Sequence, residues 1–262
     1  MPEVQGQGQS LVRPGALPHT LTDTSQARTL YSALIRAYGE RAPRPQADPL
    51  DELIGTILSQ HTSDTNSGRA YARLRSSFPT WPDVLAASEA DIADAIRVGG
   101  LASTKARRIK DCLALLAGRY GEPTLRALAA LDDATAASAL TAIPGVGPKT
   151  AACVLLFALG RAVIPVDTHV HRVTRRLGIV TADASAEDVQ RVLESLFPPD
   201  PFICYNLHVG LIAHGRQVCR ARNPACATCS LANLCPVPGQ ARLSGPAQPH
   251  AATPLPTRSE SR

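Results

Sequence analysis

Lys149 and Asp167 are the residues whose types and settings point most directly to covalent chemistry. Lys149 lies at the end of the run Ile143-Pro144-Gly145-Val146-Gly147-Pro148-Lys149-Thr150 and is one of only three lysines among 27 basic residues. In a chain that otherwise uses arginine, a lysine at the mouth of a glycine hairpin suggests chemistry that arginine cannot do. A guanidinium keeps its proton at any working pH, whereas an amine can lose it and attack carbon. Eighteen residues on stands Val166-Asp167-Thr168-His169, a carboxylate at the start of an expected helix. The pair reads as a nucleophile with its acid/base partner. A free lysine is almost wholly protonated near neutral pH, so the attack needs desolvation and a helix N-terminus to favour the neutral amine. Taken singly, Lys149 also fits a phosphate contact and Asp167 a plain N-cap, and the aspartate could serve both roles.

A second constellation is Cys219, Cys226, Cys229 and Cys235, spaced C-x6-C-x2-C-x5-C. Four thiolates this close in sequence fit one compact tetrahedral site or cluster. Zinc sites of four cysteines usually pair two C-x2-C knuckles, and only one is present here. The pattern therefore favours iron–sulfur, although ligand type alone fits either metal. Arg216, Arg220 and Arg222 stand beside or within the first loop of this group. Cys112, Cys153 and Cys204 fall on apolar helical segments and read as core residues.

The elements that must position these groups read as helices. Alanine and leucine supply most of the apolar mass, aromatics make up 4%, and no useful alternating pattern appears. Ala106, Ile109, Leu113 and Leu116 share one face of an expected helix from Ser103 to Tyr120. Pro82 opens a helix expected to run to about Arg97. Ser185 and Asp188 form a capping-box pattern before a helix over Val189–Phe197. Thr150 to Leu159 is apolar on every side, which predicts a buried central helix. In the hairpin, Gly145 and Gly147 permit positive φ, and Pro148 presets the next helix, whose free N–H groups make a phosphate site. Gly-Val-Gly alone is also an ordinary helix–helix connection. A second candidate hairpin, Val98-Gly99-Gly100-Leu101, precedes another basic helix.

Composition supports a polyanion partner. Formal charge is +5 with a pI near 9.0, and residues 99–178 hold eleven Lys or Arg against five Asp or Glu. No apolar run approaches membrane-span length, and no signal peptide opens the chain. A reducing compartment is the expectation, where seven cysteines are not a disulfide framework. At 262 residues the chain suits one large domain or two small ones.

Five stretches stand in one order: Leu58-Ser59-Gln60-His61-Thr62-Ser63-Asp64, Gly100-Leu101-Ala102-Ser103-Thr104-Lys105-Ala106, the hairpin to Lys149, Val166-Asp167-Thr168-His169, and the four cysteines. Over about residues 28–236 this order resembles the endonuclease III branch of the helix-hairpin-helix DNA glycosylase superfamily. The resemblance implies an all-α, two-lobed fold. A six-helix barrel with the hairpin would occupy residues 46–161. Residues 25–45 and 162–236 would form the second lobe, with Cys219, Cys226, Cys229 and Cys235 holding a 4Fe-4S cluster. Residues 1–24 and 237–262 read as mobile tails, being poor in apolar residues.

The same resemblance implies a bifunctional glycosylase and AP lyase of base excision repair. Lys149 would form a Schiff base with the sugar and Asp167 would assist. The partner would be duplex DNA with oxidised pyrimidines or abasic sites, contacted through Gln60, Leu101, Lys105, Gly145, Val146, Gly147, Arg172, Arg220 and Arg222. Gln60 and Leu101 match the positions that fill the gap left by an everted base. A cytoplasmic, nucleoid-associated monomer without membrane contact is the accompanying expectation. Pro148 stands where some family members carry arginine. An adenine glycosylase of the same superfamily would have glutamate near Thr56 and lack the lysine. A silent DNA-binding scaffold would have no need for Lys149 and Asp167 together.

Overall fold

The computed structural model describes residues 24–43 and 48–236. The expected tails, 1–24 and 237–262, lie outside the described residues except for Thr24, which opens the first helix. Eleven α-helices and no strand occur among the described residues. In chain order they are α1 Thr24–Tyr38, α2 Pro49–Ser59, α3 Asp64–Ser77, α4 Trp81–Ala86, α5 Glu89–Ala95 and α6 Ala102–Tyr120. They continue with α7 Asp133–Thr141, α8 Pro148–Phe157, α9 Thr168–Arg176, α10 Ala186–Leu196 and α11 Pro201–Gln217.

Local chemistry sets most of these boundaries. Proline stands in the first turn of α2, α4, α8 and α11, where its missing N–H costs nothing. Ser185 and Asp188 close the expected capping box on α10. The helix expected from Pro82 to Arg97 is instead two. Ala87 is extended, the Ser88 hydroxyl accepts from the Asp91 N–H to start α5, and a 3-10 turn comes next over Arg97–Gly99. A serine side chain that satisfies free helix N–H groups competes with continuation of the helix before it. Lys110 on α6 completes the break by donating to the Ala87 carbonyl.

Two apolar cores result. One gathers Leu53, Ile57, Leu74, Ile96, Ile109 and Leu140 from α2 to α7, with Ala151 and Leu155 of α8. The other gathers Leu30, Leu34, Val170, Leu193 and Leu211 from α1 and α9 to α11, and it takes in Leu156 of α8. Helix α8 is thus buried on all sides, as its sequence predicts, because it serves both cores. Its N-terminus, which carries Lys149, is fixed between them. No helix among the described residues is long and apolar enough to cross a membrane.

Helices α9 and α11 close together at Gly215. A Cβ there would stand 2.8 Å from the His169 Cβ, a separation that real side chains essentially never show. Gly215→Ala should therefore push α9 off α11 and cost ~1–3 kcal/mol in denaturant titration. Gly118→Ala in α6, where a Cβ meets nothing within 4 Å, should instead stabilise by about 0.5–1 kcal/mol. Equal effects of the two substitutions would show that the close approach carries no stability.

Candidate active site

The candidate site forms where two helix N-termini converge. Gly145 takes φ of +80° and reverses the chain after α7, whereas Gly147 sits at −91° and needs no glycine-only conformation. Only one of the two expected special positions is therefore used. Pro148 begins α8, and Lys149 comes next, half-buried. Across the space, Asp167 caps α9: its Oδ1 accepts from the N–H groups of His169 and Val170, both at 2.8 Å. Both bonds fall on Oδ1, so capping leaves Oδ2 for other work.

Two buried residues report that the amine and the carboxylate share one space. Burial pushes the Cys153 thiol up to about 11; Lys149, within hydrogen-bond reach, opposes this, while Glu52 and Asp167 add to it. Burial also pushes His208 down to about 4, with Asp167 opposing and Lys149 and Arg216 adding. Lys149 and Asp167 thus act, with opposite sign, on the same sulfur of α8 and the same imidazole of α11. Glu52 of α2 also acts on Cys153 and accepts from the Thr56 hydroxyl at 3.0 Å. His208 and Glu52 are site residues that pattern reading misses, because neither stands in a recognisable motif. Arg216 adds a bidentate ion pair to Asp64 at 2.6 and 3.1 Å, joining α11 to the start of α3 across the two cores.

The expected DNA contacts divide. Leu101 is 56% exposed in the left-handed region, φ +49°, and Arg220 and Arg222 are exposed. Gln60 is half-buried, and its Oε1 accepts from Arg108 at 3.0 Å. The next residue, His61, is the exposed one and is also left-handed, φ +55°. Three further expectations are corrected. Lys105 is 1% exposed and donates to the carbonyls of Leu58 and Gly99, so it faces inward. The Val146 side chain packs into the first core, and its N–H is taken by the Ile143 carbonyl at 3.0 Å. Arg172 donates to the carbonyls of Cys219, Gly215 and Thr168 and contacts His169 Nδ1, so its guanidinium is held within the protein.

Cys219, Cys226, Cys229 and Cys235 ring one cavity of about 130 Å³ with His214 and Arg176. Four thiols around one cavity are a donor set that fits a polynuclear iron–sulfur cluster. Donors already face the sulfurs: Arg176 reaches Cys219 Sγ at 3.3 Å, and His214 Nε2 lies 3.6 Å from Cys229 Sγ. Burial, helped by the neighbouring cysteines, pushes the Cys229 thiol up to about 11, so a thiolate there requires a cation. Tyr38 Oη, 2.8 Å from His214 Nδ1, completes a buried chain to the ring.

His208 offers a test of this setting. It is 3% exposed, and because the Pro165 carbonyl can only accept, Nδ1 carries the proton at 2.8 Å. Its folded pKa lies below the unfolded value, so its contribution is present above pH 6.5 and is lost as the pH falls toward 4. Wild-type stability should drop by roughly 2 kcal/mol between pH 6.5 and pH 5 on this account. The slope should be shallower in His208→Gln, as read by urea unfolding; identical slopes would remove the assignment.

Comparison with known proteins agrees with this geometry. The model of the HhH-GPD superfamily of base excision DNA repair proteins matches residues 54–199, and that of the iron-sulfur binding domain of endonuclease III matches 219–235. Endonuclease III of Thermotoga maritima is 34% identical over 77% of this chain and 90% of its own. That of Escherichia coli is 35% identical over 75% and 90%. A putative DNA glycosylase of Arabidopsis thaliana is 40% identical over 64% of this chain, which spans 56% of that relative's length. A trapped endonuclease III–DNA covalent intermediate superposes with a TM-score of 0.70 at 30% identity, covering 82% of this chain and 97% of that one. The family carries the cluster that the four cysteines here fit. The hairpin, the matched core and the cysteine ring together place the chain in the HhH-GPD superfamily of base excision DNA repair proteins, as an endonuclease III-like DNA glycosylase.

Proposed function

We propose that the chain is a bifunctional glycosylase and AP lyase that removes oxidised pyrimidines from duplex DNA, then cuts the strand 3′ to the abasic site. What carries the reading is the amine of Lys149 and the carboxylate of Asp167 acting on the same two buried groups, Cys153 and His208. A nucleotide turned out of the stack would meet both. The neutral amine forms a bond to C1′ as the glycosidic bond breaks, its electron pair leaving with the base, which takes up a proton. The bound nitrogen sheds one proton, the C1′–O4′ bond breaks with O4′ taking that proton, and the sugar ring opens to a protonated Schiff base. Removal of a C2′ proton then pushes an electron pair toward the iminium and breaks the C3′–O bond, releasing the 3′ phosphate. Water finally returns Lys149 as a free amine.

Each neighbouring group has a part. Asp167 steadies the positive charge that grows on the sugar, and Oδ2 is free to do so. The hairpin N–H groups of Gly145 and Gly147 suit a phosphate, that of Val146 being taken by the Ile143 carbonyl. The cluster would hold Arg220 and Arg222 in a fixed loop against the backbone, in a monomer that works on nucleoid DNA.

Two substitutions separate the roles. Lys149→Gln should retain duplex binding yet lose borohydride trapping and strand cleavage by ~1000-fold or more. Unchanged cleavage would reject the assignment. Asp167→Asn keeps a good N-cap, so folding should persist while excision falls by ~100-fold or more. A panel of oligonucleotides, each with one lesion, tests the pyrimidine preference: uniform inactivity on oxidised pyrimidines would refute it.

A further inference from the structure

Among the described residues, Lys105 is a buried cation bonded to carbonyls instead of a carboxylate. Its ammonium donates at 2.8 Å to the Leu58 carbonyl and at 2.9 Å to that of Gly99. Each carbonyl ends a helical element: Leu58 lies in the last turn of α2, and Gly99 closes the 3-10 turn Arg97–Gly99. Such carbonyls lack intrahelical partners and carry the negative end of the helix dipole. One side chain therefore caps two C-termini at once, and burial lowers its pKa.

The backbone just beyond each capped carbonyl is unusual. Two residues after Gly99 stands Leu101, and three after Leu58 stands His61; both are exposed and both have positive φ. Among the described residues only one other non-glycine, Asn223, shares that conformation. Strained backbone of this kind persists only where its surroundings dictate it. Arg108, one turn along α6 from Lys105, adds a second tie: it donates to Gln60, and its stem lies 3.5 Å from where a Gly145 Cβ would stand.

We infer that Lys105 is a positioning residue that sets the distance between the two exposed corners, His61 and Leu101, as they enter the duplex beside an everted nucleotide. This rests on the base-excision reading above. Lys105 touches no DNA, and its effect passes through the corners. Both carbonyls are backbone groups that meet the same ammonium, so their separation is set by two hydrogen bonds to one nitrogen.

The test is a thermodynamic cycle on the full holoenzyme. Lys105→Met removes every donor, and Lys105→Gln keeps part of the donor set should the first variant fold poorly. Single-turnover excision of a lesion in duplex DNA should fall about tenfold or more with Leu101 and His61 present. In a Leu101→Ala/His61→Ala background the further loss should be less than about twofold. Schiff-base trapping at a preformed abasic site, where no base is unstacked, should fall far less than excision. Equal losses in both backgrounds, or no loss in either, would overturn the inference. Hydrogen exchange adds a reading that does not depend on activity: amides of residues 59–63 and 99–102 should exchange faster in Lys105→Gln while those of α8 do not. Unchanged exchange there would also reject the clamp. If the wild-type enzyme excises nothing, the base-excision reading fails, and the exchange measurement alone decides the clamp.

Discussion

Everything at the candidate site depends on the burial of α8 between two cores. A lysine on an exposed helix would swing through many rotamers and stay hydrated. Here the residues behind it, Ala151 to Leu156, are packed by both clusters, so the first turn cannot tilt without opening one of them. Pro148 and the positive φ at Gly145 bring the chain into that turn from a fixed direction. The second core then supplies the start of α9 on the opposite wall, because Val170 and Val173 are buried beside α11. The nearness of the two helix N-termini is a consequence of how two hydrophobic cores share one helix.

Much of this was legible in the sequence, and the reasons differ by residue. Lys149, Asp167 and the cysteines stand in short local patterns whose chemistry constrains their spacing, so order and type were enough to nominate them. Capping boxes and proline starts are equally local, and Ser185 with Asp188 behaves as read. The breaks came where a choice between two local signals needed tertiary context. Ser88 could have sat on an exposed helical face, and the extended Ala87, the Ser88 cap and Lys110 reaching the Ala87 carbonyl together show the interruption. Long cationic side chains were the least legible. Nothing in the sequence distinguishes Arg220, which is exposed, from Arg172, whose donors meet internal carbonyls. The positive charge of the segment overstates the number of cations that can face a phosphate.

Two of the three lysines illustrate the same point from the other side. Lys105 and Lys110 each cap the C-terminus of a helical element, where an ammonium serves an orphan carbonyl. Neither needs to lose a proton to do so. Lys149 differs by lying at a helix N-terminus, next to a sulfur instead of a carbonyl. The rarity of lysine in the chain did mark sites where a slender cation was wanted, but only one of the three suits attack on carbon.

The cysteine ring is tied to the cleft through the same helix that presents Asp167. Helix α9 has the carboxylate at its N-terminus, Arg172 one turn on, and Arg176 at its end. Arg172 grips the carbonyls of Gly215 and Cys219, while Arg176 grips those of Arg220 and Ala221 as well as the Cys219 sulfur. Gly215 removes any gap between α9 and α11, so the helix cannot slide to absorb a change at one end. A disturbance of the cysteine loop therefore has two outlets: the exposed Arg220 and Arg222 beside it, and the position of Asp167 at the far end of a rigid nine-residue helix. Because hydrogen-bonded packed elements transmit displacement instead of damping it, the loop and Asp167 are linked through α9 by direct contacts.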